Sequence, residues 1–516
     1  MKWHPRAGRT EDSRTRFGQV WSDHVSEPLT NRNGRVFVVL CLIAVFQLVT
    51  IVPGMVGSED AALYLLHARN IAFGRPYLAT GYIYTVETAR YSPRGYPPVF
   101  PMMLAPLFRI SGTAPRPYKT LMACIFVLCL FVIALLYRKK LRHWQLLLLV
   151  VLLGINPYLT QEKNEILSDL PFVLFLYTAF VLVERQLETD PESPYLLRGI
   201  LAGVFSYLAY GTRVIGAGII LALIAYGLLR RRMVTRFLII VVLTFGILAG
   251  LQLAFVPIHS DYLRLLYFKE HSPRQNLHFY AGVTSYLWDA GLGAVARLPI
   301  FFTTMCISAV GALRRISRSW DVATVFSVGY GIFIIFWPYH QARYLLPIIP
   351  VYLYYLVCGL ESLHRLLVER SQTAARIMVW ILTTLLLVSY ASKYAHSGLA
   401  GSFEAWDSPP KKEIYALIQA STPKDAVILA RTPRALALYT DRRTVQFPEN
   451  ADSESLRRYI AKSGATYVLL PATSVTQWKG WRLLEIGAEP VFSTANYGLY
   501  KTARGKDVIT VPPANN

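Results

Sequence analysis

The chain of 516 residues is 54% hydrophobic and only 16% charged, and its mean hydropathy is +0.36. A soluble protein carries about a quarter charged residues, and about 20 consecutive apolar residues suffice to cross a bilayer. Because the apolar residues come in long blocks, the composition excludes a disordered, fibrous or ordinary cytosolic protein and indicates a multi-span membrane protein. The net charge of +22 does not indicate nucleic-acid binding, since the basic residues cluster between apolar blocks as in cytoplasmic loops.

The basic clusters predict how the chain crosses the membrane. Residues 1–35 form a basic cytoplasmic tail, and the first apolar run is too long and too far from the N-terminus for a cleaved signal peptide. Placing the later clusters on the same side gives about eleven spans, with the N-terminus in the cytoplasm and the C-terminus outside. The spans are expected near residues 36–56, 118–137, 144–159, 170–184, 197–211, 214–229, 237–257, 294–312, 321–338, 344–360 and 377–394. The fifth and sixth meet at Arg213 and could instead form one re-entrant hairpin.

Two larger regions lie outside these spans. The first is a long outer loop, residues 57–117, which belongs to the transmembrane domain, residues 36–394. In this loop the proline-rich segment 96–110 predicts a helix at the membrane interface. Residues 395–516 change in composition and predict an extracytoplasmic α/β domain with mostly parallel strands. In this domain we expect helices at 411–420, 433–440 and 453–463, and strands at 426–430, 444–447 and 466–470. The predicted fold class is therefore mainly α, a polytopic transmembrane helical bundle with a C-terminal extracytoplasmic α/β domain.

Two acidic residues at the outer ends of predicted spans are candidate catalytic residues, because acids near membrane depth are costly and therefore often functional. Asp60 follows the first span, and Asp169 begins the span near 170–184. Each could simply cap a helix, or each could serve as a general base or a metal ligand at the outer face. Glu59, the neighbour of Asp60, competes for that role.

Basic residues beside apolar runs could bind a phosphate group. Arg343 lies in an outer corner, Arg213 lies between two apolar stretches, and Arg90 adds positive charge to the first outer loop. The planar guanidinium binds phosphate oxygens in pairs, although an arginine at the interface could merely extend its charge into water. His340 and His67 could be ligands or proton carriers, or hydrogen-bonded buried histidines without a chemical role.

The sequence lacks a nucleotide-binding or hydrolase motif in its required context, such as a Walker A loop, a dinucleotide fingerprint, HExxH or GxSxG. We therefore do not expect a transferred group to come from a soluble nucleotide bound in a Rossmann domain, and a donor carried on a lipid phosphate would fit the outer face.

Four segments, taken in order, resemble the large membrane glycosyltransferases of the C superfamily, which use polyprenyl-phosphate sugars. That group includes protein O-mannosyltransferases and the lipid A aminoarabinose transferase. Residues 57–60 are similar to the acidic motif of the first loop, with Asp60 as its acid. The other three segments are residues 90–97, with Arg90, Tyr91 and Tyr96, residues 167–172, with Asp169, and residues 343–347, with Arg343 and Tyr344. The chain departs from the pattern at Arg94, which replaces a proline, and at Glu59, which precedes the acid instead of following it.

The resemblance implies an integral membrane glycosyltransferase that moves a sugar, with inversion, from a polyprenyl-phosphate donor to a lipid, glycan or protein acceptor. Asp60 would deprotonate or orient the acceptor hydroxyl, and Asp169 would assist it, or the two acids would hold a divalent cation, Mg²⁺ or Mn²⁺. The donor phosphate would be bound by residues from the set Arg343, Arg213, Arg90, Tyr344 and His340, with Glu59, Tyr91 and Tyr96 as secondary candidates. The expected location is the plasma (inner) membrane, in contact with membrane lipids and without nucleic acid.

Two other classes of protein compete with this interpretation. A transporter or flippase of a lipid-linked glycan would explain the many spans, but it predicts similar halves, and we find no half-to-half similarity. A scaffold or receptor would explain the C-terminal domain but would leave the four segments without a purpose.

Overall fold

The structure is a computed structural model that describes residues 29–85, 93–188, 195–231, 235–256, 271–291, 293–397, 405–448, 451–472 and 487–503. Most of the predicted cytoplasmic tail and two of the predicted site residues, Arg90 and Tyr91, lie outside the described residues.

Helices make up most of the described chain before residue 398. They are α1 (Leu29–Val49), α2 (Asp60–Ala72), α3 (Val99–Ser111), α4 (Pro115–Tyr137), α5 (His143–Gly154), α6 (Pro157–Lys163), α7 (Asp169–Glu188), α8 (Tyr195–Thr212), α9 (Gly218–Arg231), α10 (Arg236–Phe255), α11 (Pro273–Ser285), α12 (Ala294–Ile316), α13 (Val322–Phe336), α14 (Ile349–Val368) and α15 (Gln372–Ser397). Short 3₁₀ turns occupy Val214–Ala217, Tyr286–Trp288 and Ala342–Leu345.

Each stretch predicted to cross the membrane contains a helix, but some bounds differ from the prediction. Helix α1 ends at Val49 instead of near residue 56, because Pro53 disfavours helical geometry before it and Gly54 adopts a positive φ of 77°. Among the described helices, α4, α10, α12, α14 and α15 are long and apolar enough to span a membrane. Helices α5 and α6, bent by 55°, would make a sixth span if they are counted as one.

Close helix packing uses glycine where two backbones meet. A β-carbon on Gly311 of α12 would collide with the carbonyl oxygen of Tyr355 on α14, and one on Gly359 would collide with the carbonyl oxygen of Ile307. Small residues let membrane helices approach to backbone contact, which replaces the hydrophobic driving force that lipid does not supply. The glycine pair therefore fixes α12 against α14.

Two buried lysines hold the exit of α1 toward the outer loop. Lys163 donates to the carbonyl oxygens of Gln47 and Thr50, at 2.8 and 3.1 Å, and Lys119 donates to that of Val52 at 2.8 Å. These carbonyls lie at and just beyond the end of α1, where a helix leaves acceptors unpaired and favours positive charge. The two lysines therefore hold the chain where it leaves α1, on the way to Asp60 and α2.

The basic loops gather at the other end of the bundle. Lys140 forms ion pairs with Glu184 (3.3 Å) and Asp321 (3.7 Å), and Arg315 donates to the backbone oxygen of Lys140 at 3.0 Å. Helix α7 connects the two ends, since it begins at Asp169 and carries Glu184 fifteen residues later, about 22 Å along the helix axis.

The C-terminal region is an α/β unit built around one mixed sheet. Its elements are α16 (Pro409–Ser421), β2 (Val427–Ala430), α17 (Pro433–Thr440), β3 (Arg443–Gln446), α18 (Ser453–Ser463), β4 (Tyr467–Pro471), β5 (Glu489–Ser493) and β6 (Tyr497–Lys501). The predicted helices and strands are confirmed within two residues, and Gly464 ends α18 with a positive φ of 71°. The final antiparallel hairpin, β5 and β6, was not predicted, because β5 is mostly exposed and has no apolar run.

A strand from the outer loop completes the sheet. The strand order is β1-β3-β2-β4-β6-β5, in which β1 (Tyr82–Ile83) belongs to the loop 57–117 and pairs in parallel with β3. The pairing joins Tyr82 to Thr444 and Ile83 to Val445. The C-terminal sheet is therefore not built from residues 395–516 alone, and the outer loop lies on the same side of the bundle as the C-terminal region.

Candidate functional site

The two predicted acids occupy equivalent places, each at the beginning of a helix. Asp60 is the first residue of α2 and Asp169 is the first residue of α7, and both are buried, with 7% and 5% of their surface exposed. The positive end of a helix dipole favours a carboxylate at this position. The N-cap of α2 is Glu59, whose side chain makes no capping hydrogen bond, and both Asp60 oxygens bind side chains elsewhere. Asp60 is thus not the helix cap that the sequence allowed.

Three side chains converge on the Asp60 carboxylate. Its Oδ1 accepts hydrogen bonds from the Tyr96 hydroxyl at 2.7 Å and from Nη1 of Arg434 at 2.6 Å, and its Oδ2 pairs with Nη2 of Arg343. Burial by itself would raise the pKa of Asp60, but the charges of Arg343 and Arg434 outweigh it and hold the pKa well below its usual range. Asp60 is therefore an ionised anchor for two guanidinium groups.

Arg343 lies between the two acids. While Nη2 pairs with Asp60, Nε lies 4.0 Å from Oδ2 of Asp169, and Oδ1 of Asp169 pairs with Arg213. The ring of Tyr344 lies under the Arg213 guanidinium, with 5.1 Å from the guanidinium carbon to the ring centroid, a cation–π arrangement. Two carboxylates and two arginines that are far apart in the sequence thus form one continuous ion-pair network.

Most of the predicted residues that the structure describes meet in this network, but His340 does not. Its ring stacks on Phe279 at 3.8 Å and lies 3.9 Å from the ring of His271, and its Nδ1 is 3.0 Å from Oδ1 of Asn276. This cluster fixes the corner that precedes Arg343, so His340 packs the corner instead of reaching the acids.

Glu59 has a different partner from Asp60. Its Oε1 accepts a hydrogen bond from the backbone nitrogen of Ala435, at the start of α17, at 2.9 Å. Burial raises the pKa of Glu59, and the nearby Arg434 only partly offsets that effect. Glu59 therefore joins the outer loop to the C-terminal region, although the sequence offered it as the competitor of Asp60.

His67 is a hydrogen-bonded buried histidine. Its Nδ1 lies 2.9 Å from the carbonyl oxygen of Tyr77, and its Nε2 accepts from the backbone nitrogen of Tyr96 at 3.3 Å. Burial lowers the pKa of His67 to about 4, so the ring is neutral at physiological pH. It holds the backbone of Tyr96, and through it the hydroxyl that reaches Asp60.

Sequence reasoning missed several residues of the site. Arg434 is one of many basic residues in the C-terminal region. The one local sign that its side chain is buried is its place in the apolar helix α17. Tyr64 stacks on Tyr96 at 4.4 Å, and its hydroxyl lies 2.7 Å from the Ser168 hydroxyl. Glu165 accepts from the backbone nitrogen of Ser58 at 3.2 Å.

The arrangement does not suit a divalent cation bridging the two acids. Within the described residues, no group of three or more His, Cys, Asp or Glu side chains is placed to hold a metal ion. The guanidinium of Arg343 lies between Asp60 and Asp169, where a bridging cation would have to bind, and its positive charge opposes a second one.

No family model matches the sequence, and no curated protein matches it. The structure matches ArnT from Cupriavidus metallidurans bound to undecaprenyl phosphate, with a TM-score of 0.58 and 12% identity over 91% of this chain and 98% of that chain. It also matches the archaeal oligosaccharyltransferase AglB from Archaeoglobus fulgidus in complex with an inhibitory peptide and a dolichol-phosphate (TM-score 0.56, 13% identity, 93% and 75% coverage). A third match is the Archaeoglobus fulgidus oligosaccharyltransferase in complex with Zn and sulfate (TM-score 0.57, 13% identity, 90% and 73% coverage).

These matches define the class of fold. At 12–13% identity they establish a shared fold over about nine-tenths of the chain. The fold expected from the resemblance of the four short segments is confirmed.

Proposed function

We propose that the protein is an integral membrane glycosyltransferase that moves a sugar from a polyprenyl-phosphate donor to a lipid, glycan or protein acceptor at the outer membrane face. The observation that carries the proposal is the buried network in which Arg343 lies between Asp60 and Asp169. The fold it shares with ArnT bound to undecaprenyl phosphate and with AglB bound to a dolichol-phosphate supports a lipid-phosphate donor, and it favours transfer over flipping.

When the donor binds, its phosphate would replace Asp60 as the anion that Arg343 contacts. Within the described part of the chain, Nε of Arg343 and Oδ2 of Asp169 have no hydrogen-bond partner, although both are buried. An incoming phosphate oxygen can take the Nε donor and then compete with Asp60 for the rest of the guanidinium. Arg213, held by Asp169 and Tyr344, adds a second positive charge near the leaving phosphate.

The movement of Arg343 to the phosphate would also make Asp60 a stronger base. While two arginines hold Asp60, its low pKa makes it a weak proton acceptor. When the phosphate draws Arg343 away, the carboxylate regains basicity and can take the proton of the acceptor hydroxyl. The hydroxyl oxygen then bonds to the anomeric carbon as the bond to the phosphate oxygen breaks on the opposite side, which inverts the configuration. The electron pair leaves with the phosphate, and no step in this scheme is assigned to a metal ion.

The direct test is transfer by the purified full-length protein in lipid nanodiscs. A panel of polyprenyl-phosphate sugars with labelled sugar is offered together with membrane lipid, glycan and protein acceptors. We expect one donor to give labelled acceptor and an equal amount of free polyprenyl phosphate. If no donor is consumed, while reconstituted vesicles move the intact lipid-linked sugar between leaflets, the protein is a flippase.

The proposed orientation places about eleven spans in the plasma membrane, with the N-terminus in the cytoplasm and the C-terminal region outside. Two observations support it: the pairing of β1 with β3 puts the outer loop and the C-terminal sheet on one side, and the basic loops gather around Lys140 at the other end. Protease added to cells with a permeabilised outer layer should remove the C-terminal region and spare residues 1–35. Loss of an N-terminal tag before the membrane is lysed would reverse the orientation.

The C-terminal region, about residues 405–505, should be soluble and inactive when it is expressed alone. It has its own apolar clusters on both faces of the sheet, including Leu429, Val445 and Val468 on one face and Ile428 on the other. It lacks both acids of the site, so we expect it to bind or orient an acceptor without transferring sugar. Circular dichroism and the transfer assay check this expectation, and sugar transfer by the isolated region would contradict it.

A further inference from the structure

The C-terminal region is attached to the outer loop at several independent points. The backbone nitrogen of Trp406 donates to the carbonyl oxygen of Met55 at 2.8 Å, and Arg69 of α2 pairs with Asp441 at 3.0 Å. Strand β1 adds to the C-terminal sheet beside β3. These contacts hold α17 against α2 without involving the acids of the site.

Arg434 lies on α17, and its side chain extends from that helix to the Asp60 carboxylate. It is 6% exposed, and its Nη1 lies 2.6 Å from Oδ1 of Asp60 and 3.4 Å from the Tyr96 hydroxyl. Its Nε lies 3.6 Å from Oε2 of Glu59. Arg434 and Tyr96 thus bind the same oxygen of Asp60, while Arg343 binds the other oxygen.

We infer that Arg434 is a positioning residue for the proposed reaction: it anchors Oδ1 of Asp60, so that Oδ2 is the oxygen released to the acceptor hydroxyl when Arg343 moves to the donor phosphate. The inference rests on the function proposed above. A carboxylate held at one oxygen by two donors keeps its plane after the other oxygen loses its partner. The docked C-terminal region is therefore part of the working site and does more than recruit an acceptor.

The rival explanation is that Arg434 only fastens the C-terminal region to the bundle. In that case the loss of Arg434 would resemble the loss of any other attachment. The chain offers a matched control in Asp441, which pairs with Arg69 at the same interface, is 69% exposed, and lies outside the Asp60 network. Asp441→Asn weakens the attachment of the C-terminal region without changing the contacts of the Asp60 carboxylate.

The experiment compares steady-state transfer by full-length Arg434→Gln, Arg434→Lys and Asp441→Asn proteins. We expect Arg434→Gln to lower kcat at least about 10-fold with the donor KM changed no more than about 3-fold, because the defect lies in orienting the base. Arg434→Lys should recover part of that loss by keeping the charge, and Asp441→Asn should stay within about 2-fold of the wild type. Equal losses in Arg434→Gln and Asp441→Asn would overturn the inference.

Combining Arg434→Gln with Asp60→Asn tests whether Arg434 acts through Asp60. Residues that work through one contact give non-additive losses, so the double variant should be no worse than Asp60→Asn alone. Losses that multiply would overturn the inference. If Arg434→Gln fails to fold, Tyr96→Phe removes the other Oδ1 donor with little change in shape, and the same coupling to Asp60 is expected. Failure of the proposed function looks different, because the wild-type protein itself would then release no polyprenyl phosphate.

Discussion

Asp60→Asn is expected to lower the rate of sugar transfer by roughly 10²-fold or more, the largest effect of any single acid in the site. The amide is nearly isosteric with the carboxylate and keeps an oxygen for Arg434 and Tyr96, but it can neither accept the hydroxyl proton nor neutralise Arg343. Initial rates of polyprenyl phosphate release, normalised to the amount of monodisperse protein, measure the effect.

Asp60→Asn also lowers the stability of the protein, and this effect must be separated from the effect on the transfer rate. Removing the charge of Asp60 leaves two buried arginines with less compensation, a change that costs about 3–5 kcal/mol when a buried ion pair is broken. Glu59→Gln is the matched control, since Glu59 is the adjacent acid and binds the backbone of Ala435. An active Asp60→Asn protein beside an inactive Glu59→Gln protein would transfer the role to Glu59. If both variants stay active, the outer-loop site is wrong.

Arg343→Gln is expected to reduce kcat/KM by about 10²–10³-fold, the range seen when one preorganised donor to a developing negative charge is removed. Arg343 holds Asp60 and approaches Asp169, so its loss also leaves two acids near each other without their shared cation. We expect both a higher donor KM and a lower kcat, because the same guanidinium would bind the donor phosphate and stabilise it as it leaves. Arg343→Lys keeps the charge and should recover part of the activity, but it loses the contact with two carboxylates.

A remote arginine provides the control for this prediction. Arg142 forms an ion pair with Glu361 at 3.2 Å, in the cluster of basic loops at the other end of the bundle. Arg142→Gln should leave kcat/KM within about 2-fold of the wild type, as expected for a half-exposed surface pair. If Arg142→Gln loses as much activity as Arg343→Gln, the effect of Arg343 is general to folding and the phosphate-binding role is not supported.

Local signals in the sequence determined the helices and the C-terminal α/β unit. Apolar blocks gave a helix in each predicted stretch, because a helix satisfies the backbone within a single segment, and five of the described helices are long and apolar enough to cross a bilayer. Helix α17 begins at Thr432-Pro433 and α18 ends at Gly464, since proline fits the first helical turn and glycine adopts the left-handed conformation without strain. Short motifs also predicted Asp60, Asp169 and the arginine that lies between them.

Only the tertiary structure decided which side chains meet. Arg434 and Asp60 are 374 positions apart, and the one local signal for Arg434, its place in the apolar helix α17, does not identify the residue that it contacts. Strand β1 has two residues, too short for a periodic signal, and it exists because β3 offers a free edge with matching register. Histidine is a residue type that is common in active sites, but the ring of His340 stacks on Phe279. Propensity and hydropathy act over a few neighbouring residues, whereas the pairing of buried charges depends on the assembled fold, where each charge must find a partner.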